Sequence, residues 1–241
     1  MKKIIVGILA IIFLGLLFLN FGLENKSRIS NDAHPIPEEE TELNKGEDIS
    51  AHLTSEKQDA YILSDEDLNA TYQELKELNE PLIVSVLLPG YYSDDFIKRL
   101  EETFNTDTIT FKRVDIEGNT TNLDTLSYFD NSDVVIISAL QIQDYNDEVL
   151  PQHNLNTVLK YYMDFYNKGM TAIILSEPNA HNHNNLENVL LTDQDYMTNN
   201  DFYFISNVDV ESEMMFGEDE ITLSEQVERQ IQENIKKFLV K

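Results

Sequence analysis

Apolar positions fall into three regimes along this chain. From Ile4 to Leu19 there is no polar side chain, and Asn20-Phe21-Gly22-Leu23 extends the run. As a helix, such a run is about 30 Å long, the thickness of a bilayer's hydrocarbon core. Residues 24–58 keep no sustained period. They carry Pro35, Pro37 and the acidic run Glu38-Glu39-Glu40, a composition that buries too little apolar surface to offset the entropy of ordering. Beyond them, helical and strand-like patterns alternate. Leu68, Tyr72, Leu75 and Leu78 follow one another at helical spacing, with Ser64 as cap, Asp65, Glu66 and Asp67 in the first turn, and Pro81 as the stop.

Five β-rich runs come next: Leu82–Leu88, Thr108–Val114, Asp133–Ala139, Thr171–Leu175 and Phe202–Ser206. Three of them are almost continuously apolar, as parallel strands covered on both faces are. Amphipathic stretches lie between them. One is marked by Phe96, Ile97, Leu100 and Phe104. A second is marked by Leu155, Val158, Leu159, Tyr162, Phe165 and Tyr166, and is ended by Gly169. The last, after Ser224 as cap, holds Val227, Ile231, Ile235, Phe238 and Leu239. Strand–helix alternation predicts a parallel five-stranded sheet with right-handed crossovers in a three-layer α/β/α sandwich. Its functional site should lie outside the C-terminal strand ends. The expected organisation is a transmembrane signal anchor at 1–23, an acidic tether at 24–58, a leading helix within 59–80 and the α/β domain at 81–241. Lys2 and Lys3 place the N-terminus inside and the domain in an extracytoplasmic position. A cleaved signal peptide is the alternative, although Phe21–Asn25 offers no small-x-small cleavage site.

Charge narrows the function classes. Across 241 residues, 17 Lys+Arg oppose 44 Asp+Glu, a formal charge of −27. Residues 24–80 hold 5 basic and 16 acidic side chains and residues 81–241 hold 10 and 28, so the excess is global. This argues against nucleic acid as a partner and against broad docking on anionic lipid. The absence of Cys removes disulfides, thiolate zinc sites and Cys nucleophiles. No G-x-G-x-x-G or G-x-x-x-x-G-K motif is present, and no cofactor is expected.

The loops after the strands carry the chemistry. Pro89-Gly90-Tyr91-Tyr92-Ser93 follows the first, Glu117-Gly118-Asn119-Thr120 the second, Leu140-Gln141-Ile142-Gln143-Asp144 the third and Glu177-Pro178-Asn179-Ala180-His181-Asn182-His183 the fourth. Asp219-Glu220-Ile221-Thr222 precedes the last helix. This ordered set resembles the SGNH/GDSL hydrolase family over about residues 82–240. The resemblance implies a flavodoxin-like sheet and ester hydrolysis or acyl transfer on envelope lipids or glycans. It also implies oxyanion or substrate contacts from Gly118, Asn119, Gln143 (where the family has Asn) and Asp144. Asp219 stands at the position of the family's orienting Asp.

Two positions depart from that pattern. Pro89-Gly90-Tyr91 stands where the family has Gly-Asp-Ser, and Thr222 stands where it has the His base. A threonine hydroxyl does not serve as a general base at neutral pH, and a serine without a base is a poor nucleophile. Ser93 is the nearest serine, either a nucleophile or the cap of the helix that follows. His181 and His183 are the candidates for a relocated base. They are also candidates for a metal pair with Glu177 or Asp219, against a plain reading as parts of a solvated, Asn-rich loop. No metal site is expected. Three readings compete. The first is an SGNH-like envelope protein with impaired or absent esterase activity that binds a cell-wall glycopolymer or a protein partner. The second is a divergent esterase using Ser93 with His181 or His183, and the third is a metal-dependent hydrolase. Met214, Met215 and Phe216 either pack on the core or cover the cleft.

Overall fold

The computed structural model describes residues 57–58, 60–125 and 132–241. The expected membrane anchor and nearly all of the tether lie outside them. Among the described residues no helix is long and apolar enough to cross a membrane.

The elements in order are α1 (Glu66–Glu77), β1 (Leu82–Pro89), α2 (Phe96–Phe104), β2 (Ile109–Ile116), a short 3-10 turn (Thr120–Thr125), β3 (Val134–Ser138), α3 (Gln141–Asn146), α4 (Pro151–Asn167), β4 (Thr171–Leu175), α5 (Asn184–Asn199), β5 (Phe204–Ile205) and α6 (Glu225–Leu239). Strand order is β2-β1-β3-β4-β5, all parallel. The sheet is therefore a doubly wound one with its switch point between β1 and β3.

Alternation along the strands divides the core in two. Val134 and Ile136 of β3 point to one face, where they meet Leu68 and Tyr72 of α1, Phe96, Leu100 and Phe104 of α2, and Ile231 and Ile235 of α6. Val135 and Ile137 point to the other, against Val158, Tyr162 and Phe165 of α4. All four β3 residues are fully buried, each worth about 1.5–3 kcal/mol on the transfer scale. Coverage on both faces is why the strand reads as an unbroken apolar run.

The leading helix is part of the domain. Asp65, one residue after the expected Ser64, caps it by accepting from the Leu68 N–H at 2.8 Å. An antiparallel bridge joins Leu63 to Val240, with Ser64 N–H donating to Leu239 O at 2.9 Å and Lys241 N–H to Ile62 O at 2.9 Å. The chain entering the domain is thus clamped to its end. One expectation changes shape: the Asn-rich stretch after β4 opens α5 at Asn184, and Leu186, Leu190 and Met197 bury its inner face.

Candidate functional site

The C-terminal ends of β1, β3 and β4 meet in a buried polar knot. Glu177, just after β4, is fully buried. Its carboxylate accepts from the Tyr91 hydroxyl, from Ser138 Oγ at 2.6 Å and from the Ile142 N–H at 2.6 Å. Burial pushes its pKa up, and these donors oppose the shift. Burial, with the Glu177 charge, pushes the Tyr91 phenol well above its ordinary value. Leu140 takes a left-handed backbone conformation (φ 56°) that turns Gln141 inward. Gln141 Oε1 then accepts from the Glu177 N–H at 3.0 Å and Ser176 Oγ at 3.1 Å. Its Nε2 donates to Asp193 of α5 at 2.6 Å. Burial raises the Asp193 pKa to about 6.

Tyr91, which the sequence resemblance sets against the family serine, is a buried phenol committed to Glu177. Such a group is not a nucleophile at neutral pH. Sequence reasoning named Glu177 only as a metal partner and passed over Tyr91, Gln141 and Asp193. The one available signal was polar residues at the ends of apolar strands, since a buried polar group requires a partner.

Ser93 lies beyond the knot. Its N–H and Oγ–H donate to the two carboxylate oxygens of Glu228 on α6, at 2.6 and 2.7 Å. Arg99 of α2 donates to Ser93 Oγ at 2.6 Å and pairs with Glu228. Glu228 is fully buried. The structure pairs Ser93 with a carboxylate already engaged by a guanidinium, and with neither histidine. The formal cap position of α2 is Asp95, which makes no side-chain capping bond. Ser93 instead ties the loop after β1 to α2 and α6.

His183 caps α5. Its Nδ1 accepts from the Asn185 N–H at 3.2 Å and sits 2.9 Å from the Tyr145 hydroxyl, so Nδ1 carries the lone pair and Tyr145 donates. His181 is exposed, with its ring 5.9 Å from Tyr145 and 5.5 Å from Phe216. Partial burial, then the nearby His183, lowers its pKa. Asp219 and Thr222 do come together: Thr222 N–H and Oγ–H both donate to Asp219, at 2.9 and 2.6 Å, with the Ile221 N–H at 3.0 Å. The Thr222 hydroxyl, then the two backbone donors, lower the Asp219 pKa. The pair closes a surface turn.

Two of the expected oxyanion donors are directed elsewhere. Asn119 Nδ2 and Gln143 Nε2 both donate to Asp147, at 2.8 and 3.0 Å, and hold its carboxyl below the usual range, Gln143 most. Asp144 is buried and accepts from Thr120 N–H (2.8 Å), Thr120 Oγ–H (2.6 Å) and Asn154 Nδ2 (2.7 Å), pinning the loop after β2 to α4. Gly118 turns that loop at φ +72°. Among the described residues no group of three His, Asp or Glu side chains is placed to hold a metal ion. Met215 and Phe216 pack against the core, while Met214 is 70% exposed.

This is an open, doubly wound parallel α/β protein whose polar residues gather at the C-terminal strand ends. Comparison with solved structures narrows the class. A crystal structure of TesA matches at a TM-score of 0.51 and 10% identity, covering 65% of this chain and 97% of that one. A protein from Streptococcus pneumonia, provisionally described as a platelet activating factor, matches at 0.51 and 16%, covering 72% and 91%. A GDSL-like lipase from Bacteroides thetaiotaomicron matches at 0.47 and 10%, covering 70% and 96%. At these identities the likeness shows the fold: the chain has an SGNH/GDSL-hydrolase-like fold. No protein-family model and no curated protein sequence matches it.

Proposed function

We propose that the chain is a membrane-tethered, extracytoplasmic SGNH-hydrolase-like protein of the cell envelope that has no serine-esterase activity and acts by binding. The observation that carries this is Ser93: its hydroxyl is spent on Glu228 and Arg99, and among the described residues no imidazole is hydrogen-bonded to it. A triad that lacks its base keeps only the contributions of binding and of the oxyanion hole. Here the second of these is also weak, because Asn119 and Gln143 donate to Asp147. The membrane tether rests on the apolar run of residues 4–23 and the two lysines before it.

Treatment of the full chain with a fluorophosphonate probe, read by intact mass and peptide mapping, tests the reading. No adduct is expected under conditions that label a control esterase to completion. A stoichiometric adduct on Ser93, lost in His181→Ala or His183→Ala, would restore the esterase reading.

A further inference from the structure

A groove of about 760 Å³ lies between the loop after β4 and the loop after β5, within the size range of ligand sites. It is lined by Asn179–Asn182 and Glu187 on one side, and by Val208, Val210–Glu213, Met215, Phe216 and Gln226 on the other. None of its lining residues comes from the loops after β1, β2 or β3. It shares the loop after β5 with the Asp219–Thr222 turn but takes none of that turn's residues.

Two properties of the groove point the same way. Its floor is apolar: Ala180 and Val210 are buried, and Val208, Met215 and Phe216 are half-buried against the core. Met214, between two lining residues in sequence, is 70% exposed. Glu187, Glu211 and Glu213 are exposed around this floor. No Lys or Arg lines the groove, and among the described residues none of the three carboxylates has an ion-pair partner. A ligand seated there meets an apolar patch of Val208, Met215 and Phe216 set among the side chains of Asn179, Asn182, Ser212 and Gln226, together with uncompensated negative charge.

We propose that this groove docks a basic polypeptide segment of a partner protein. Apolar side chains of that segment seat on Val208, Met215 and Phe216, and its Lys or Arg groups pair with Glu187, Glu211 and Glu213. Charge complementarity selects this occupant. The chain is at −27 overall, and such a field draws a basic partner in from a distance and repels acidic polymers. A neutral glycan would use stacking faces and amides, and it would leave the three carboxylates unpaired. The inference rests on the reading of the domain as a binding module. His181 lines the groove, but Glu187, Val208, Glu211, Glu213, Met215 and Phe216, which carry the docking, are none of the residues tested by the fluorophosphonate probe, so either can fail without the other.

The test uses the full chain in neutral detergent and three fluorescein-labelled probes read by polarisation: a peptide alternating Lys and Leu, one alternating Glu and Leu, and an oligolysine of equal length. A neutral chito-oligosaccharide serves as competitor. Only the Lys/Leu peptide is expected to bind tightly, with at least tenfold preference over oligolysine and no displacement by the saccharide. The triple variant Glu187→Gln/Glu211→Gln/Glu213→Gln should weaken it at least tenfold, and Phe216→Ala should weaken it several-fold. Neutralising Glu74, Glu77 and Glu80, exposed at the end of α1 and beyond it, should change it less than twofold. These six carboxylates are solvent-exposed, so the Gln variants are expected to fold, with thermal melts as the check. Equal binding of oligolysine, equal loss in the α1 variant, displacement by the saccharide, or no binding of the Lys/Leu peptide would each overturn the proposal.

Discussion

Gly118 shows how tightly single residues are specified in the loop after β2. At φ +72° a Cβ is strained by about 1–2 kcal/mol wherever it points, and here it would meet Asn122 Oδ1 at 2.5 Å. Gly118→Ala is therefore expected to lose about 2–4 kcal/mol in urea unfolding, from strain and overpacking together. Removing the obstructing atom in a Gly118→Ala/Asn122→Ala double variant should recover the contact part, measured against Asn122→Ala alone; equal losses in both backgrounds would show that no contact forms. Asp193 makes the opposite case. Burial raises its pKa from 3.8 to about 6, so the folded chain holds a proton there that the unfolded chain releases. The stability linked to that proton is fully present below about pH 4 and is lost as pH rises through about 6. Asp193→Asn keeps an acceptor for Gln141 Nε2 and carries no charge to bury. It should raise stability at pH 7.5 by about 1–3 kcal/mol, with the gain vanishing near pH 4. A variant no more stable than the parent at pH 7.5 would show that Gln141 alone offsets the buried charge.

At the scale of elements, periodicity carries furthest where an element has one environment. The run Thr171–Leu175 forms β4 over the same residues, because a continuous apolar run covered on both faces leaves no other register. The Phe202–Ser206 run shrinks to a two-residue edge strand, Phe204–Ile205, since an edge offers one hydrogen-bonding neighbour. Helix α5 was illegible for a different reason. Its N-terminal Asn184 and Asn185 and its mid-helix Asp193 mask the Leu186, Leu190, Met197 stripe, and Asp193 makes sense only once Gln141, 52 residues earlier, stands beside it. Helix α1 was legible but its cap was displaced by one residue, and the displacement has a tertiary cause. Asp65 accepts from the Leu68 N–H and also from the Tyr203 hydroxyl at 2.5 Å, whose pKa that bond raises to about 12. Asp65→Ala therefore removes a cap and a tie to the β5 end of the sheet. A loss of about 1–3 kcal/mol is expected, whereas Ser64→Ala should cost a few tenths at most. Comparable losses from the two would move the cap back to Ser64.

For the whole molecule, the fold was more legible than the site. The core follows a local alternation that any window of the chain displays, whereas the site depends on which side chain turns toward which. Ser93 looked available until α6, 135 residues later, supplied Glu228. Gln143 looked like an oxyanion donor until Asp147 took its amide. The one global property that was plain from the start is charge, and it has a consequence for stability. At −27 the folded chain holds its carboxylates closer together than the unfolded chain does, and this self-repulsion destabilises the compact state. Among the described residues the ion pairs that relieve it are few: Lys57–Asp107, Arg113–Asp115 and Arg229–Glu225 at the surface, with Arg99–Glu228 inside. Raising ionic strength from about 0.01 to 0.15 M shortens the screening length from about 30 to 8 Å. That range screens distant repulsions more than contact pairs. The midpoint of thermal unfolding at pH 7.5 should therefore climb with NaCl across this range and level off. Near pH 5, closer to the isoelectric point of about 4.3, the climb should shrink. A midpoint that falls with salt would mean that attractive pairs, not the acidic excess, govern the electrostatics of the folded state.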